Sequence, residues 1–362
     1  MPHRIARCLV ALALIGASAA RAEPDVIDRP ARPTALGKSS ALLSVTRAGK
    51  RLVAVGERGI VLLSDDSGSS WRQASVPVSE SLTNVRFVNE RQGWAIGHSG
   101  IVLHSADGGQ TWQRQLDGRK AADLCLTLAR QVGEHAKAGD ARARGLLADA
   151  ERLVADGPDK PFLDLWFKDA NEGFVVGAYG LILGTSDGGQ TWQSWQDRID
   201  NPRGHHLYAI SVVGDDILIA GEQGALFHST NRGNSFDEVK TPYAGTYFGV
   251  RHLADGGVLA YGLRGSIYRS TSGLKDWQKV ASGADSTLNG GASLDDGSLL
   301  LVDQSGHLLR SKDGGRSFQI ASTRLGFPLT AVASAPDGAV IVVGLGGVAR
   351  MAASTASAGA GK

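Results

Sequence analysis

Short apolar runs recur along the chain, each about as long as a β-strand. Seven of them open a repeating unit, at residues 42–46, 82–88, 162–167, 207–213, 248–252, 288–293 and 329–333. Later in most units, two adjacent apolar residues stand at the centre of another strand, as in Val61-Leu62 and Ile182-Leu183. Because neighbouring residues on a strand face opposite ways, both sides of each sheet are predicted to be buried, as they are when sheets stack face to face.

A polar turn motif follows six of these strands. It reads Ser or Thr, any residue, Asp, any residue, Gly, any residue, Ser or Thr, and then an aromatic residue. The carboxylate can accept hydrogen bonds from nearby backbone N–H groups, and Gly can adopt a positive φ, so we predict a structural turn between two strands. The Asp position is held by Asp66, Asp107, Asp187 and Asp313, and Asn231 replaces the Asp in the fourth copy. The fifth copy along the chain is degenerate, with Ser272 and Leu274 where Asp and Gly belong.

The spacing of the motif predicts the architecture. Its aromatic residues, at 71, 112, 192, 236, 277 and 318, are separated by 41, 80, 44, 41 and 41 residues. A Gly-x-x-Gly segment, such as Gly56-Glu57-Arg58-Gly59, precedes most copies, and Gly344-Leu345-Gly346-Gly347 closes the series. A period near 40 residues with several short strands per unit is typical of a β-propeller blade. The chain is therefore predicted to be an all-β, seven-bladed propeller over residues 41–352.

The 80-residue interval contains one extra segment, at residues 118–157. Its apolar residues recur at steps of three and four, which is helical spacing. Gly139-Asp140 interrupts that spacing, so the segment is predicted to be an α-helical hairpin of residues 119–137 and 140–155, inserted between blades two and three.

The two ends of the chain read differently. Arg4 and Arg7, an apolar run and the small residues up to Ala22 are typical of a secretory signal peptide over residues 1–22. Cleavage near Ala22 would make the protein periplasmic or secreted. The proline-containing leader of residues 23–40 is predicted to complete the last blade as an outer strand, because prolines are tolerated on edge strands. Residues 353–362 read as a flexible tail.

Charge and cysteine content exclude several functions. Three of the 38 basic residues lie in the signal, which leaves 35 against 36 acidic residues. A near-neutral protein has no electrostatic basis for binding nucleic acid or an anionic membrane surface. Only Cys125 follows the signal, and we expect it to be a small buried apolar residue rather than a reactive thiol. The polar turns offer too few carboxylates for calcium, so neither a metal nor another cofactor is expected, nor insertion into a membrane, and we expect a monomer.

Propeller connectivity sorts the loops between two faces. The Gly-x-x-Gly turns share one face with the links between blades and with the helical hairpin, and the Asp-containing turns lie on the other. Since the first face varies from blade to blade, we predict that it binds a partner. Its candidate residues are Arg58, His98, Tyr179, Arg198, Arg203, His205, Glu222, Tyr243, Tyr247 and Arg264.

The full repeat, from Gly93 through Trp112 and again from Phe174 through Trp192, resembles that of the photosystem II stability/assembly factor family of propellers. The resemblance covers residues 40 to 350 or so. It implies a non-enzymatic, seven-bladed propeller that binds partner proteins and helps to assemble a membrane protein complex. The helical hairpin departs from that family's pattern, and the chain looks more like secreted relatives in non-photosynthetic bacteria.

Two other functions stay open. The Asp-containing turn also occurs in sialidases, whose chemistry needs a Tyr nucleophile, an acid and a cluster of Arg. Arg58, Arg203, Arg264 and Tyr179 are the residues that could fill those roles, although no motif places a carboxylate beside a Tyr. A propeller that binds a carbohydrate or another small ligand is the third possibility, because seven Trp offer stacking surfaces. Four of the seven already occupy repeat positions.

Overall fold

Seven antiparallel sheets form a closed ring in the computed structural model, which describes residues 25–271 and 273–352. The seven-bladed propeller and its helical hairpin are confirmed. Neighbouring inner strands contact one another around the whole ring, and the first meets the seventh. Six sheets have four strands each, and the described part of the last has three.

The strands of the first four blades are Leu42–Ala48, Arg51–Gly56, Val61–Ser64 and Arg72–Gln73; Leu82–Phe87, Gly93–Gly97, Val102–Ser105 and Gln113–Leu116; Phe162–Phe167, Gly173–Gly177, Ile182–Thr185 and Gln193–Ser194; and Leu207–Val213, Asp216–Gly221, Leu226–Ser229 and Asp237–Glu238. Those of the last three are Tyr247–His252, Val258–Gly262, Ile267–Ser270 and Gln278–Val280; Leu288–Ser293, Leu299–Asp303, His307–Ser311 and Gln319–Arg324; and Leu329–Ser334, Val340–Gly344 and Gly347–Met351. Short 3₁₀ turns are Gly37–Ser39, Glu57–Gly59, His98–Gly100, Ala178–Gly180, Gln196–Arg198, Glu222–Gly224 and Leu263–Gly265.

The predicted completion of the last blade is wrong for the described part of the leader, residues 25–40, which forms no strand. Its 3₁₀ turn, Gly37–Ser39, contacts the last strand, but residues further upstream cross to the link between blades one and two. There Ile27 is buried, the Ala31 N–H donates to the Val76 carbonyl at 3.0 Å and the Ser79 N–H to the Val26 carbonyl at 2.8 Å. The burial of Ile27 against this link stabilises the observed path of the leader over an edge strand on the last blade. The predicted signal peptide and the tail of residues 353–362 lie outside the described residues.

Polar side chains tie the inner strands of blades one to four together. Ser44 donates to the Asn84 side-chain oxygen at 2.7 Å, and Asn84 donates to the Asp164 carboxylate at 2.7 Å. Asp164 also accepts from the backbone N–H groups of Leu165 at 2.8 Å and Ile210 at 2.7 Å. Burial raises the pKa of Asp164, although Arg86 and these hydrogen bonds oppose it. One carboxylate therefore connects blades two, three and four.

The Asp-containing turns are structural, with hydrogen bonds that repeat from blade to blade. In blade three, Thr185 donates to Asp187 at 2.9 Å, and Thr191 donates to the same carboxylate through its N–H at 2.9 Å and its hydroxyl at 2.6 Å. The Trp192 ring N–H donates to the Gly189 carbonyl at 3.1 Å. These bonds satisfy the groups that a tight turn would leave unpaired.

The degenerate fifth turn recovers its carboxylate from another position. Asp276, directly before Trp277, accepts from the Ser270 hydroxyl at 2.6 Å and from the Thr271 N–H at 3.1 Å. The acid has moved from the third to the seventh position of the motif. A search for the motif with Asp at its third position does not find this carboxylate. The turn needs a carboxylate at its centre, and a residue before or after the chain reversal can supply it.

Helices α1, Gly118–His135, and α2, Ala141–Asp156, form the predicted hairpin. Asp117 and Asp140 cap their N-termini, each accepting two backbone N–H groups. Their apolar sides join the core between blades two and three, with Cys125 fully buried there. That burial raises the pKa of Cys125 to about 11, so the thiol stays protonated and unreactive at neutral pH.

Candidate partner-binding face

We name the two ends of the ring by their turns. The Asp face carries the Asp-containing turns, at 64–71, 105–112, 185–192, 229–236, 270–277 and 311–318. The rim face carries the turns between second and third strands, at 56–59, 97–100, 177–180, 221–224, 262–265, 303–306 and 344–347, with the interblade links. In five rim turns the third residue has a positive φ, between 53° and 55°: Arg58, Ser99, Tyr179, Gln223 and Arg264. The same backbone conformation thus presents side chains that vary around the face, four residue types in these five turns.

Most aromatic residues of the rim face gather at blades three to five. Tyr179 is 53% exposed and meets the His206 ring edge to face at 4.9 Å. His206 lies 6.1 Å from the Tyr208 ring, which contacts the Phe248 ring at 4.9 Å. The Lys160 ammonium lies 5.0 Å from the centre of the Tyr179 ring. These groups form a continuous path from the exposed rim to the mouth of the central channel.

Glu222 stabilises the interblade link that carries His205 and His206, beside these aromatic rings. It accepts from the His206 N–H at 3.0 Å and lies 3.3 Å from the His206 ring nitrogen and 3.7 Å from that of His205. Burial pushes its pKa up, but the hydrogen bonds from His206 outweigh burial and hold the pKa of Glu222 below its usual range. The link is braced further by Asn201, whose side chain exchanges two hydrogen bonds with the His205 backbone, at 2.9 and 3.0 Å. The surface is therefore preorganised.

The structure brings together only some of the predicted partner-binding residues. Tyr179, His205 and Glu222 share the surface just described, with Arg203 exposed on the same link. Arg58, His98 and Arg264 are exposed on the rim face but on other blades. Lys160, Tyr208 and Phe248 were missed, although aligning the repeats would have shown that Tyr208 and Phe248 stand where other inner strands carry Leu43 or Thr83.

Three predicted residues lie outside this surface. Tyr247 is fully buried and donates to the Thr241 hydroxyl at 3.0 Å, so it offers a partner no surface. Tyr243 is half-buried and donates to the Leu263 carbonyl at 3.1 Å. Arg198 donates to the Gly233 carbonyl at 3.3 Å, on the Asp face, because its 3₁₀ turn runs down the outer side of blade three before the chain returns to the rim.

The hairpin begins and ends on the rim face but does not cover it. A Cβ on Gly118 would meet the Ser99 carbonyl and Pro158, which fixes the root beside the turn of blade two. Helix α1 then packs along the outer strand of blade three, and Arg142 of α2 donates to the Asp197 carbonyl at 2.6 Å. The hairpin shields the edge of that blade. No helix in the described residues is both long and apolar enough to cross a bilayer.

The arginines proposed for sialidase chemistry do not converge. Arg58 lines a groove beside the leader, whereas Arg203 and Arg264 belong to other loops. The central channel, of about 470 Å³, does contain Arg86 and Arg251. Arg86 pairs with Asp164 at 3.4 Å, and Arg251 donates to the Gly291 carbonyl at 3.0 Å. Among the residues described, no group of three His, Cys, Asp or Glu could hold a metal ion.

Comparison with known proteins places the chain in a family. Residues 36–130 and 152–308 match the family described as photosynthesis system II assembly factor YCF48, and the gap falls within the hairpin. A photosystem II assembly lipoprotein Ycf48 from Synechococcus sp. is 35% identical over 74 residues, 20% of this chain and 22% of the relative. The matched stretches span only 19% to 24% of the curated relatives' length.

Solved structures agree on the fold. The structure titled "YCF48 bound to D1 peptide" has a TM-score of 0.63 at 14% identity, covering 87% of this chain and 94% of its own. A virginiamycin B lyase from Staphylococcus aureus reaches 0.64 at 8% identity, covering 90% and 98%. The propeller by itself therefore does not separate a binding protein from an enzyme. The match over most of the repeats does settle the family: this chain belongs to the YCF48 photosynthesis system II assembly factor family.

Proposed function

We propose that the chain is a non-catalytic, periplasmic or secreted protein-binding scaffold that helps to assemble a membrane protein complex. The observation that carries the proposal is the preorganised surface of Tyr179, Arg203, His205, His206 and Glu222 on the rim face. An exposed aromatic ring flanked by charged groups on rigid turns is a composition that favours protein recognition. The solved structure of YCF48 bound to a D1 peptide supports a polypeptide partner.

The proposed compartment rests on the sequence. The segment before Ala22 has the charged start, apolar run and small residues of a cleaved signal. A partner surface exposed outside the cytoplasm would then meet the extracytoplasmic part of a membrane complex. Fractionation of the host with an antibody to the chain tests this: we expect the periplasmic or culture fraction, and a cytoplasmic protein of full length would contradict it.

A glycosidase is the weaker proposal. It would need an activated Tyr and an arginine cluster in one pocket. The arginines of the central channel are engaged with Asp164 and the Gly291 carbonyl, and Asp164 itself is saturated with hydrogen bonds. These groups hold the blades together, which leaves them poorly suited to bind a substrate.

Affinity capture from host membranes, with matched charge reversals, tests the binding proposal. The bait proteins are the wild type, Arg203→Glu on the rim face and Lys312→Glu on the Asp face, both exposed positions. We expect a membrane-complex subunit to be captured by the wild type and by Lys312→Glu, and at least about tenfold less by Arg203→Glu. Equal capture by all three baits, or loss with Lys312→Glu alone, would contradict a partner site on the rim face.

A further inference from the structure

Blade three departs from the repeat at three neighbouring positions. Gly184 pairs with Phe174 where the other blades carry a large side chain, at Leu63, His104, His228, Arg269, Arg310 and Arg350. Trp166 pairs with Phe174 from the other side, where the other inner strands carry Thr46, Arg86, Ser211, Arg251, Ala292 and Ala333. Trp195 follows the outer strand, where blades one and four have Ala74 and Val239.

The three departures fit one another. A Cβ on Gly184 would lie 2.0 Å from the Trp195 ring, so only glycine leaves room for this indole. Trp195 stacks on Phe174 with ring centres 5.4 Å apart, and the Arg198 guanidinium lies 4.3 Å from its centre. Trp166 meets Phe174 at 5.9 Å, tilted by 50°. Three replacements that fit one another at one place indicate a specific structural feature rather than unrelated divergence between the repeats.

These side chains form a pocket between blades three and four on the Asp face. It encloses about 210 Å³ and is walled by Trp166, Phe174, Trp195, Val212 and Ile217. Trp166 and Trp195 are two of the three tryptophans that do not belong to the Asp-containing turns; the third, Trp94, is fully buried. The pocket is smaller than the 300–1,000 Å³ or so that drug-sized ligands fill, so it suits a single ring.

Two ion pairs line the entrance. Lys168 and Glu172 lie 2.9 Å apart, and Arg232 and Asp215 lie 2.6 Å apart. All four side chains are well exposed, so their remaining donors and acceptors can reach a ligand at the mouth. Because each pair is neutral, the mouth offers hydrogen bonds of both kinds without favouring a net charge.

The chemistry that matches is a flat ring with an apolar face and a hydroxylated edge. The C–H groups on one face of a pyranose pack on an indole, and its hydroxyls both donate and accept hydrogen bonds. A bare aromatic ring would leave the charged mouth without partners, and an anion would meet two carboxylates. We propose that this pocket binds one neutral pyranose ring of a glycan, a site separate from the protein-binding rim face.

Saturation-transfer NMR on the whole chain tests the proposal, with the methyl β-glycosides of glucose, galactose, mannose and N-acetylglucosamine as probes and indole as the apolar comparison. A single ring in a small pocket is expected to bind with a dissociation constant of about 1–10 mM. The variants are Trp166→Leu and the exposed double replacement Asp215→Ala/Arg232→Ala, which removes hydrogen bonds at the mouth without touching the core. Trp71→Leu, a half-buried tryptophan of an Asp-containing turn, is the matched control.

We expect at least one glycoside to bind saturably to the wild type and to Trp71→Leu. Binding should weaken about tenfold or more in Asp215→Ala/Arg232→Ala, which loses one or two hydrogen bonds, and disappear in Trp166→Leu. Saturable binding of indole but of none of the glycosides would overturn the proposal in favour of an apolar side-chain site. So would binding that both pocket variants leave unchanged, or no binding by folded wild type.

Discussion

Blades three and six use the same four-strand plan and differ in almost every non-repeated feature. The inner strand of blade three places Asp164 where that of blade six has Gly290. A Cβ on Gly290 would lie 2.4 Å from the Thr330 carbonyl oxygen. One junction is thus held by a buried carboxylate, and the other by close backbone approach.

The outer edges of the two blades also differ. The outer strand of blade three, Gln193–Ser194, is two residues long and lies beneath the hairpin, whereas that of blade six, Gln319–Arg324, has six residues. The rim turn of blade three presents Tyr179, and its Asp face holds the tryptophan pocket. Departures from the repeat therefore accumulate in blade three, and both proposed binding sites lie where it borders blade four.

The largest expected effect comes from removing the carboxylate that joins three blades. Asp164→Ala should lower the free energy of unfolding by about 3–5 kcal/mol, because Asn84 and two backbone N–H groups lose their buried acceptor and Arg86 its partner. Urea denaturation followed by tryptophan fluorescence measures it. Asp164→Asn, which keeps one acceptor oxygen, should cost clearly less. Equal costs for the two variants would mean that the negative charge beside Arg86, rather than the acceptor oxygens, holds this junction.

Blade six should be sensitive to size instead. Gly290→Ala should destabilise the protein by about 1–3 kcal/mol, because its Cβ would press on the Thr330 backbone and force adjacent inner strands apart. The same urea titration measures it. Gly326→Ala, where a Cβ would meet nothing within 4 Å, is the matched control and should be nearly neutral. Similar costs at both positions would show that close approach is not the cause.

The smallest effect concerns the Asp-containing turn, which both blades have. Burial pushes the pKa of Asp313 up, but hydrogen bonds from Ser317 and Ser311 outweigh it and hold the pKa at about 2. Its contribution is thus complete above the unfolded value near 3.8 and is lost as the pH falls from 4 towards 2. Asp313→Ala should cost about 1 kcal/mol at neutral pH, as loss of a helix cap does.

Blade four supplies the matched control for that pH dependence. Asn231 already holds its turn by accepting from the Ser235 N–H at 3.0 Å, with no titratable group. Asp313→Asn should therefore keep most of the stability at pH 7 and flatten its decline between about pH 4 and pH 2. Stability curves with the wild-type slope in that range would contradict the role given to the carboxylate.

Repetition explains how much of this structure the sequence predicts. The seven sheets, the Asp-containing turns and the hairpin follow from local spacing, and the helices end within two residues of their predicted bounds. The leader was misplaced because its prolines are compatible with an edge strand, while the burial of Ile27 depends on a link far away in the chain. Arg198 was assigned to the wrong face because its link runs towards the Asp face before it returns to the rim face. The tryptophan pocket was missed because its walls come from separate strands.

Amide hydrogen exchange of the chain, alone and with the membrane-complex subunit obtained by affinity capture, tests the central claim most directly. We predict that the partner slows exchange in the rim turn at 178–180 and in the link at 200–206. The corresponding loops of blade six, at 304–306 and 325–328, should be unaffected. Protection confined to blade six or to the Asp-containing turns would contradict a partner site on the rim face at blade three.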